Sequence, residues 1–179
     1  MWVRPPSRRV MRNLLISVFI SFGLFSAQSI ACSFAPGYYT FETEPEGFEM
    51  KMDKGLIAIL PAPQVQIDKI TRGSAAPGSS CDDAGMIHIT IKWPSDSVYT
   101  LDEIGFYFQS ENGLEPDLIF PLGPVRGKPE GNEVKFFFVW LDGHPKYQKP
   151  LNFNLNVFAI NKGLQIGQPT TVKIEAGKG

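Results

Sequence analysis

The chain has 179 residues, of which 43% are apolar and 20% charged, a composition that predicts one globular domain with a short appendage and excludes a second large domain. Four arginines lie in the first twelve residues, and from Cys32 onward 13 Lys and Arg stand against 18 Asp and Glu, a net charge of −5. This acidic balance, without any Lys/Arg cluster, argues against nucleic acid or an anionic membrane as the partner.

Residues 1–31 have the three parts of an export signal. A basic start precedes the apolar run Leu14–Phe25, and the small-residue segment Ser29–Ala31 follows it. The run is shorter than the roughly 20 apolar residues that a membrane-spanning helix needs. We therefore predict a signal peptide, a periplasmic or secreted protein, and no transmembrane span after signal removal. Ser7-Arg8-Arg9 leaves the twin-arginine route open beside the general secretory route.

Cys32 directly follows the predicted cleavage site, and two interpretations of it stay open. In an oxidising compartment, two cysteines and no third favour a disulfide between Cys32 and Cys81. Closing that loop would contribute about 4 kcal/mol in the chain-entropy account. In the alternative, Cys32 carries a lipid anchor and Cys81 is a lone thiol, although Ser29 stands where lipoprotein signals usually have leucine.

Residues 32–62 are predicted to form an N-terminal extension. Tyr38–Thr43 and Leu56–Leu60 are short strand-like runs separated by an acidic stretch. We expect the extension to pack along the domain, and a partly disordered leader is the alternative. The Pro61-Ala62-Pro63 punctuation marks the start of the domain, residues 63–179.

Seven segments of this domain have the alternation or the apolar run of β-strands, and none has a sustained helical period. In the clearest, Met86–Trp93, the isoleucines share one face and predict a core position. The segments are Gln64–Ile70, Met86–Trp93, Ile104–Gln109, Leu118–Leu122, Val134–Leu141, Leu151–Ile160 and a last strand opened by Pro169 and ending at Ile174. The chain is therefore predicted to be all-β, a seven-stranded antiparallel sandwich, with loops at Arg72–Gly85, Arg126–Asn132 and Asp142–Pro150.

The late part of the domain has a more specific pattern, Phe153-x-Leu155-x-Val157-x-Ala159-Ile160-Asn161-x-Gly163, followed by Gly167 and Pro169. With Pro63 before the first strand and Trp93-Pro94 ending the second, it resembles a fibronectin type III-like module of the immunoglobulin-like sandwich class. Phe153 stands where that family usually has a tyrosine, so the hydroxyl bond of the tyrosine corner cannot form. The resemblance implies a fold and names no function, since the fold serves many.

No catalytic, cofactor-binding or metal site is predicted. Only His88 and His144 can act as an imidazole base, and we interpret them as a surface strand residue and a turn residue. No Gly-x-Ser-x-Gly elbow is present, and Asp82 and Asp83 lack the spacing of a calcium loop. The chain is therefore predicted not to be an enzyme and to need no cofactor.

With no catalytic, cofactor-binding or metal site predicted, the remaining kind of function is recognition of a ligand at the protein surface. Amide side chains beside aromatic rings suit hydroxyl-rich or peptide ligands, because amides donate and accept while rings cover apolar faces. The period of the strands places one such set on a single sheet face: Tyr107, Gln109, Asn152, Asn154, Asn156, Phe158 and Lys173. A solvated face is the alternative. A second apolar patch, which the extension is able to cover, is expected where Met86 and His88 lie near Phe137 and Val139.

The predicted function is an exported, non-enzymatic β-sandwich module that is envelope-associated and has a binding or structural role. Its partner would be a protein, a peptide or a glycan at the cell envelope. A lipid-anchored envelope protein that docks a protein partner is the alternative. A carbohydrate-binding accessory module or an enzyme is a more distant one.

Overall fold

The computed structural model describes residues 37–49, 52–53, 56–57, 59–74, 81–113, 115 and 118–179. The predicted signal peptide and Cys32 lie outside these residues. Cys81 begins the turn before a long strand, where the backbone N–H of Ala84 donates to its carbonyl oxygen (3.2 Å). The disulfide with Cys32 and the alternative lipid anchor therefore both stay predictions.

The described residues form strands, two one-turn 3₁₀ helices and no α-helix. The 3₁₀ helices span Leu101–Glu103 and Glu111–Gly113. The strands are β1 (Tyr39–Thr40), β2 (Met52–Asp53), β3 (Leu56–Ile57), β4 (Gln64–Thr71), β5 (Ala84–Lys92), β6 (Ile104–Ser110), β7 (Val125–Arg126), β8 (Pro129–Glu130), β9 (Glu133–Leu141), β10 (Leu151–Asn161) and β11 (Thr170–Ala176).

The strands build two antiparallel sheets. The five-stranded sheet has the order β1-β7-β6-β10-β11, and the four-stranded sheet has the order β4-β5-β9-β8. Strands β2 and β3 pair with each other. The prediction of an all-β, antiparallel, sandwich-like domain is confirmed, but the predicted number of strands is wrong, since the two sheets hold nine strands rather than seven.

The difference lies in very short strands that were not counted in the domain, of which β1 falls within the strand-like run Tyr38–Thr43 and β7 and β8 were not predicted. Strand β1 comes from the N-terminal extension, while β7 and β8 lie in and beside the predicted loop Arg126–Asn132. The predicted strand Leu118–Leu122 is irregular. Pro121 has no N–H to donate to a ladder, and Leu118 has a φ of 47°, which extended backbone does not allow.

Aromatic side chains from both sheets fill the space between them. Phe106 of β6 meets Phe136 of β9 edge to face at 5.8 Å, and Phe108 meets Phe138 in the same manner at 4.8 Å. The alternate isoleucines of β5 and the odd-numbered residues of β10 are also buried: Ile87, Ile89, Ile91, Leu151, Phe153, Leu155, Val157 and Ala159. The even-numbered residues Asn152 to Phe158 of β10 therefore point away from the core, on the outer face of the five-stranded sheet.

The N-terminal extension contributes to this outer face at one end. Phe41 is buried although it lies outside the main core, and its ring rests against the backbone of Gly105 in β6. Any Cβ at Gly105 would overlap that ring, which explains the glycine. Phe48 covers Gly163 in the same manner. The described part of the extension thus packs against the domain and leaves the other end of the outer face open.

The predicted loop Asp142–Pro150 is held by buried polar contacts. The Asp142 carboxylate accepts hydrogen bonds from the Arg72 guanidinium, from the backbone N–H of Gly73 (2.7 Å) and from Nε1 of Trp140 (3.2 Å). Buried Gln148 donates to the carbonyl oxygen of Gly73 (2.7 Å). These bonds satisfy polar groups that burial would otherwise penalise, and they fix the loop to the end of β4.

Candidate functional site

The predicted binding face lies on the outer side of β6, β10 and β11. In the register of these strands, Phe158 stands opposite Tyr107 and Asn156 opposite Gln109. Asn154 stands opposite Lys173 on the other flank of β10. The structure therefore places the aromatic pair at one end of the face and the asparagine row toward the other.

Tyr107 and Phe158 form an aromatic pair on this face. Their rings stack with centroids 5.3 Å apart and an angle of 28° between the planes, and both side chains are half-buried. They form one wall of a groove of about 280 Å³. The groove is lined by Tyr107, Phe108, Gln109, Ser110, Glu115, Phe120, Pro121, Leu122, Phe158 and Ile166.

The groove exists because the five-stranded sheet is incomplete at this point. Strand β7 is two residues long and is in register with β6 only where Phe106 faces Val125. Beyond Phe106, the described residues give β6 no strand neighbour on that side. The irregular segment 118–122 runs there instead, and alternate backbone groups of β6 face the gap.

The floor of the groove is made of buried, stacked rings and its rim is apolar. Phe108 and Phe120 stack at 5.9 Å with an angle of 10° between their planes, and both are buried. At the rim, Leu122 is 87% exposed and Ile166 is 57% exposed. An exposed apolar rim beside a preformed hollow is typical of an interaction site rather than of a plain solvated face.

Glu115 is the acidic side chain among the described residues that line the groove. Its partial burial raises the pKa of the carboxyl above the ordinary value of 4.5, and hydrogen bonds from the backbone N–H groups of Phe120 and Ile119 offset part of that rise. No Lys or Arg is among the lining residues that the structure describes. The carboxylate is therefore partly desolvated beside a groove without a cation of its own.

At the asparagine end of the face, the polar side chains are bonded to neighbouring side chains. Asn154 donates to a carboxylate oxygen of Glu111 (2.8 Å), and the Thr171 hydroxyl donates to the side-chain oxygen of Asn156 (2.7 Å). Lys173 forms an ion pair with Glu175 (2.7 Å). Three of the seven predicted face residues are thus already engaged within the sheet, which favours the groove end as the place for a ligand.

No family model, curated protein or solved structure matches the chain. Within the described ranges, no group of three or more His, Cys, Asp or Glu side chains is placed to hold a metal ion. The same part of the chain contains no helix long and apolar enough to cross a membrane. The geometry of the groove is therefore the basis for a functional interpretation.

Sequence reasoning did not find Glu115, Leu122 or Ile166. Glu115 and Leu122 lie in irregular backbone, where periodicity gives no information about direction, and Leu122 was assigned to a strand. Ile166 forms an isolated bridge with Ile160 after the turn that follows β10. The one signal available was the pair of prolines at 121 and 124, which argue against a regular strand beside β6.

The second predicted patch lies on the outer face of the four-stranded sheet. Met86 stands opposite Val139 and His88 opposite Phe137, with the His88 and Phe137 rings 4.8 Å apart. Of the described extension, Gly37 lies against Phe137. His144 precedes a turn in which its Nδ1 accepts the backbone N–H of Lys146 (3.1 Å). Neither histidine borders the groove.

Proposed function

We propose that the protein is an exported, non-enzymatic binding module of the cell envelope whose ligand occupies the groove beside Tyr107 and Phe158. The observation that carries the proposal is the stacked aromatic pair standing at a gap in the sheet left by the short strand β7. Aromatic rings supply apolar contact area at a small entropic cost, and Gln109 beside them both donates and accepts hydrogen bonds. The buried, stacked rings of Phe108 and Phe120 support a hollow that exists before the ligand arrives.

We also propose that the domain is fibronectin type III-like. Pro63 directly before β4 and Trp93-Pro94 directly after β5 support this assignment. The pattern Phe153 to Gly163 supports it further, because it coincides with β10 and its turn. The basic start and apolar run of residues 1–31 support export to the periplasm or the exterior. These features concern architecture and location, and the binding role depends on the groove alone.

Removal of the aromatic wall tests the proposal. The exported protein, its Tyr107→Ala/Phe158→Ala variant and an Asn152→Ala control are screened against arrays of peptides and glycans. Asn152 is a suitable control because it is exposed on the same strand at the opposite end. We expect every ligand of the wild type to be lost by the double variant and kept by Asn152→Ala.

The thermal unfolding of the three proteins is measured in parallel, to show that the double variant is still folded. This check is needed because the ring pair contributes about 0.5–1.5 kcal/mol beyond its buried area. Ligands that bind the folded double variant as tightly as they bind the wild type would remove the groove from consideration.

A further inference from the structure

We infer that the groove binds a basic side chain, an ammonium or a guanidinium on an apolar stem, presented by an extended peptide that lies along the open edge of β6. The inference rests on the proposed function, and it names the ligand of the same groove. Three independent features support it: the charges around the groove, the chemistry of its walls and the open strand edge.

Among the described residues that line the groove, the charged side chain is a carboxylate. Glu115 lines the groove, and Glu111 lies just beyond its Ser110 end, where it accepts the hydrogen bond from Asn154. No Lys or Arg is among the lining residues described by the structure. A partly desolvated carboxylate gains most from a cationic partner, since the opposite charge offsets the cost of its burial. The net charge of −5 from Cys32 onward attracts a basic ligand over a longer range.

The walls suit the rest of a basic side chain. One face of the Tyr107 ring stacks on Phe158, and the negative face of an aromatic ring attracts a cation. Leu122 and Ile166 are exposed at the rim. Lysine and arginine lay their methylene stems along such apolar surface while the charged head reaches a polar group. An uncharged sugar would leave the carboxylate of Glu115 without a cation.

The open edge of β6 favours a peptide over a free amine. Beyond Phe106, within the described residues, the groove side of β6 is flanked by the irregular segment 118–122 and by no strand, so an extended peptide can lie along the groove there. The volume of about 280 Å³ lies just below the range of about 300–1,000 Å³ typical of small-molecule pockets. A hollow of this size takes one or two side chains rather than an oligosaccharide, while the peptide backbone runs along the edge.

The test uses a fluorescein-labelled peptide of eight residues that alternates lysine and valine. Matched peptides carry glutamine or glutamate in place of lysine, and binding is measured by fluorescence anisotropy at low and at physiological salt. We expect the lysine peptide to bind at least about tenfold more tightly than the glutamine peptide, a difference of about 1.4 kcal/mol. The glutamate peptide is expected not to bind.

Two variants assign the binding to the groove. Glu115→Gln keeps the shape of the side chain and should weaken lysine-peptide binding by about tenfold. Leu122→Lys places a positive charge on an exposed rim residue, where it does not disturb the core, and should weaken binding as well. Gln64→Ala, which changes an exposed residue of β4 in the other sheet, should bind like the wild type.

The outcomes separate this inference from the proposed function. A glutamine peptide that binds as tightly as the lysine peptide, or unchanged binding in both Glu115→Gln and Leu122→Lys, overturns the basic ligand. A glycan or neutral peptide whose binding is lost in Tyr107→Ala/Phe158→Ala overturns the basic ligand while supporting the groove. Lysine-peptide binding that survives in that double variant overturns both, because the attraction is then non-specific.

Discussion

The guanidinium of Arg72 and the carboxylate of Asp142, 70 residues apart in the chain, form a two-point ion pair with N–O distances of 2.7 and 2.8 Å. Their side chains are only 6% and 1% exposed. Arg72 also donates to the carbonyl oxygens of Lys149 (2.9 Å) and Gly177 (2.6 Å). One pair of side chains thus joins the end of β4, the loop after β9 and the segment after β11.

Removing only the cation of this ion pair should destabilise the domain. Arg72→Met leaves the buried carboxylate of Asp142 without its cation, and we expect the free energy of unfolding to fall by about 3–5 kcal/mol. Urea unfolding followed by tryptophan fluorescence measures the change. The double variant Arg72→Met/Asp142→Asn should lose less than Arg72→Met alone, because no charge remains unpaired while the amide oxygen still accepts hydrogen bonds. Equal losses in the two variants would contradict this account.

The same carboxylate should make the domain sensitive to acid. Burial by itself would raise the pKa of Asp142, but the hydrogen bonds from Arg72, Gly73 and Trp140, with the charge of Arg72, outweigh burial and hold the pKa below its ordinary value of 3.8. The stabilisation is therefore complete above about pH 4 and is lost as the pH falls through the lower pKa of the folded state.

Unfolding free energies measured from pH 6 to pH 2 should show this loss in the wild type. Arg72→Met/Asp142→Asn, in which the titrating group is absent, should have a shallower dependence over the acid range. A parallel pH dependence in both proteins would assign the acid sensitivity to other carboxylates.

Gly85 should be intolerant of any side chain. It stands opposite Trp140 in the β5–β9 ladder, and an added Cβ would overlap the indole ring. We expect Gly85→Ala to lower the free energy of unfolding by about 1–3 kcal/mol, because the ring must leave its rotamer and its hydrogen bond to Asp142. Gly47→Ala is the matched control, since an added Cβ there meets nothing within 4 Å. Equal melting temperatures for the two variants would show that the indole moves freely.

The intact mass of the exported protein distinguishes a disulfide between the two cysteines from a lipid anchor on Cys32. With a Cys32–Cys81 disulfide, the non-reduced protein should lack two hydrogens relative to the reduced form and should not react with iodoacetamide. Cys81→Ser should then lower the free energy of unfolding by as much as about 4 kcal/mol. A diacylglycerol increment at Cys32 would instead establish the lipid-anchored alternative.

The long strands of this domain are predictable from the sequence because one of their faces is buried. The alternation of Ile87, Ile89 and Ile91 corresponds to three fully buried side chains, and the period of β10 correctly separates its core and outer residues. The short strands are not predictable in this way. Two residues carry no period, and β1 and β7 depend on pairing with distant parts of the chain, β1 with β7 and β7 also with β6.

The candidate site also has one part that the sequence predicts and another part that it does not. Tyr107 and Phe158 were placed on one face by the period of their strands, and the register confirms that they are opposite each other. Glu115 and Leu122 depend on where β7 ends and on the course of an irregular segment, which tertiary packing decides. The sequence therefore supplied the aromatic wall of the groove but not its carboxylate or its rim.

The pairing of β1 with β7 has a consequence for the order in which the molecule assembles. Tyr39 and Thr40 emerge early during synthesis, yet their partners Arg126 and Val125 come much later, so this edge of the five-stranded sheet cannot close while the chain is still short. Pairing between segments so far apart in the chain slows the folding of β-rich domains. The segment made first is thus among the last to reach its final position.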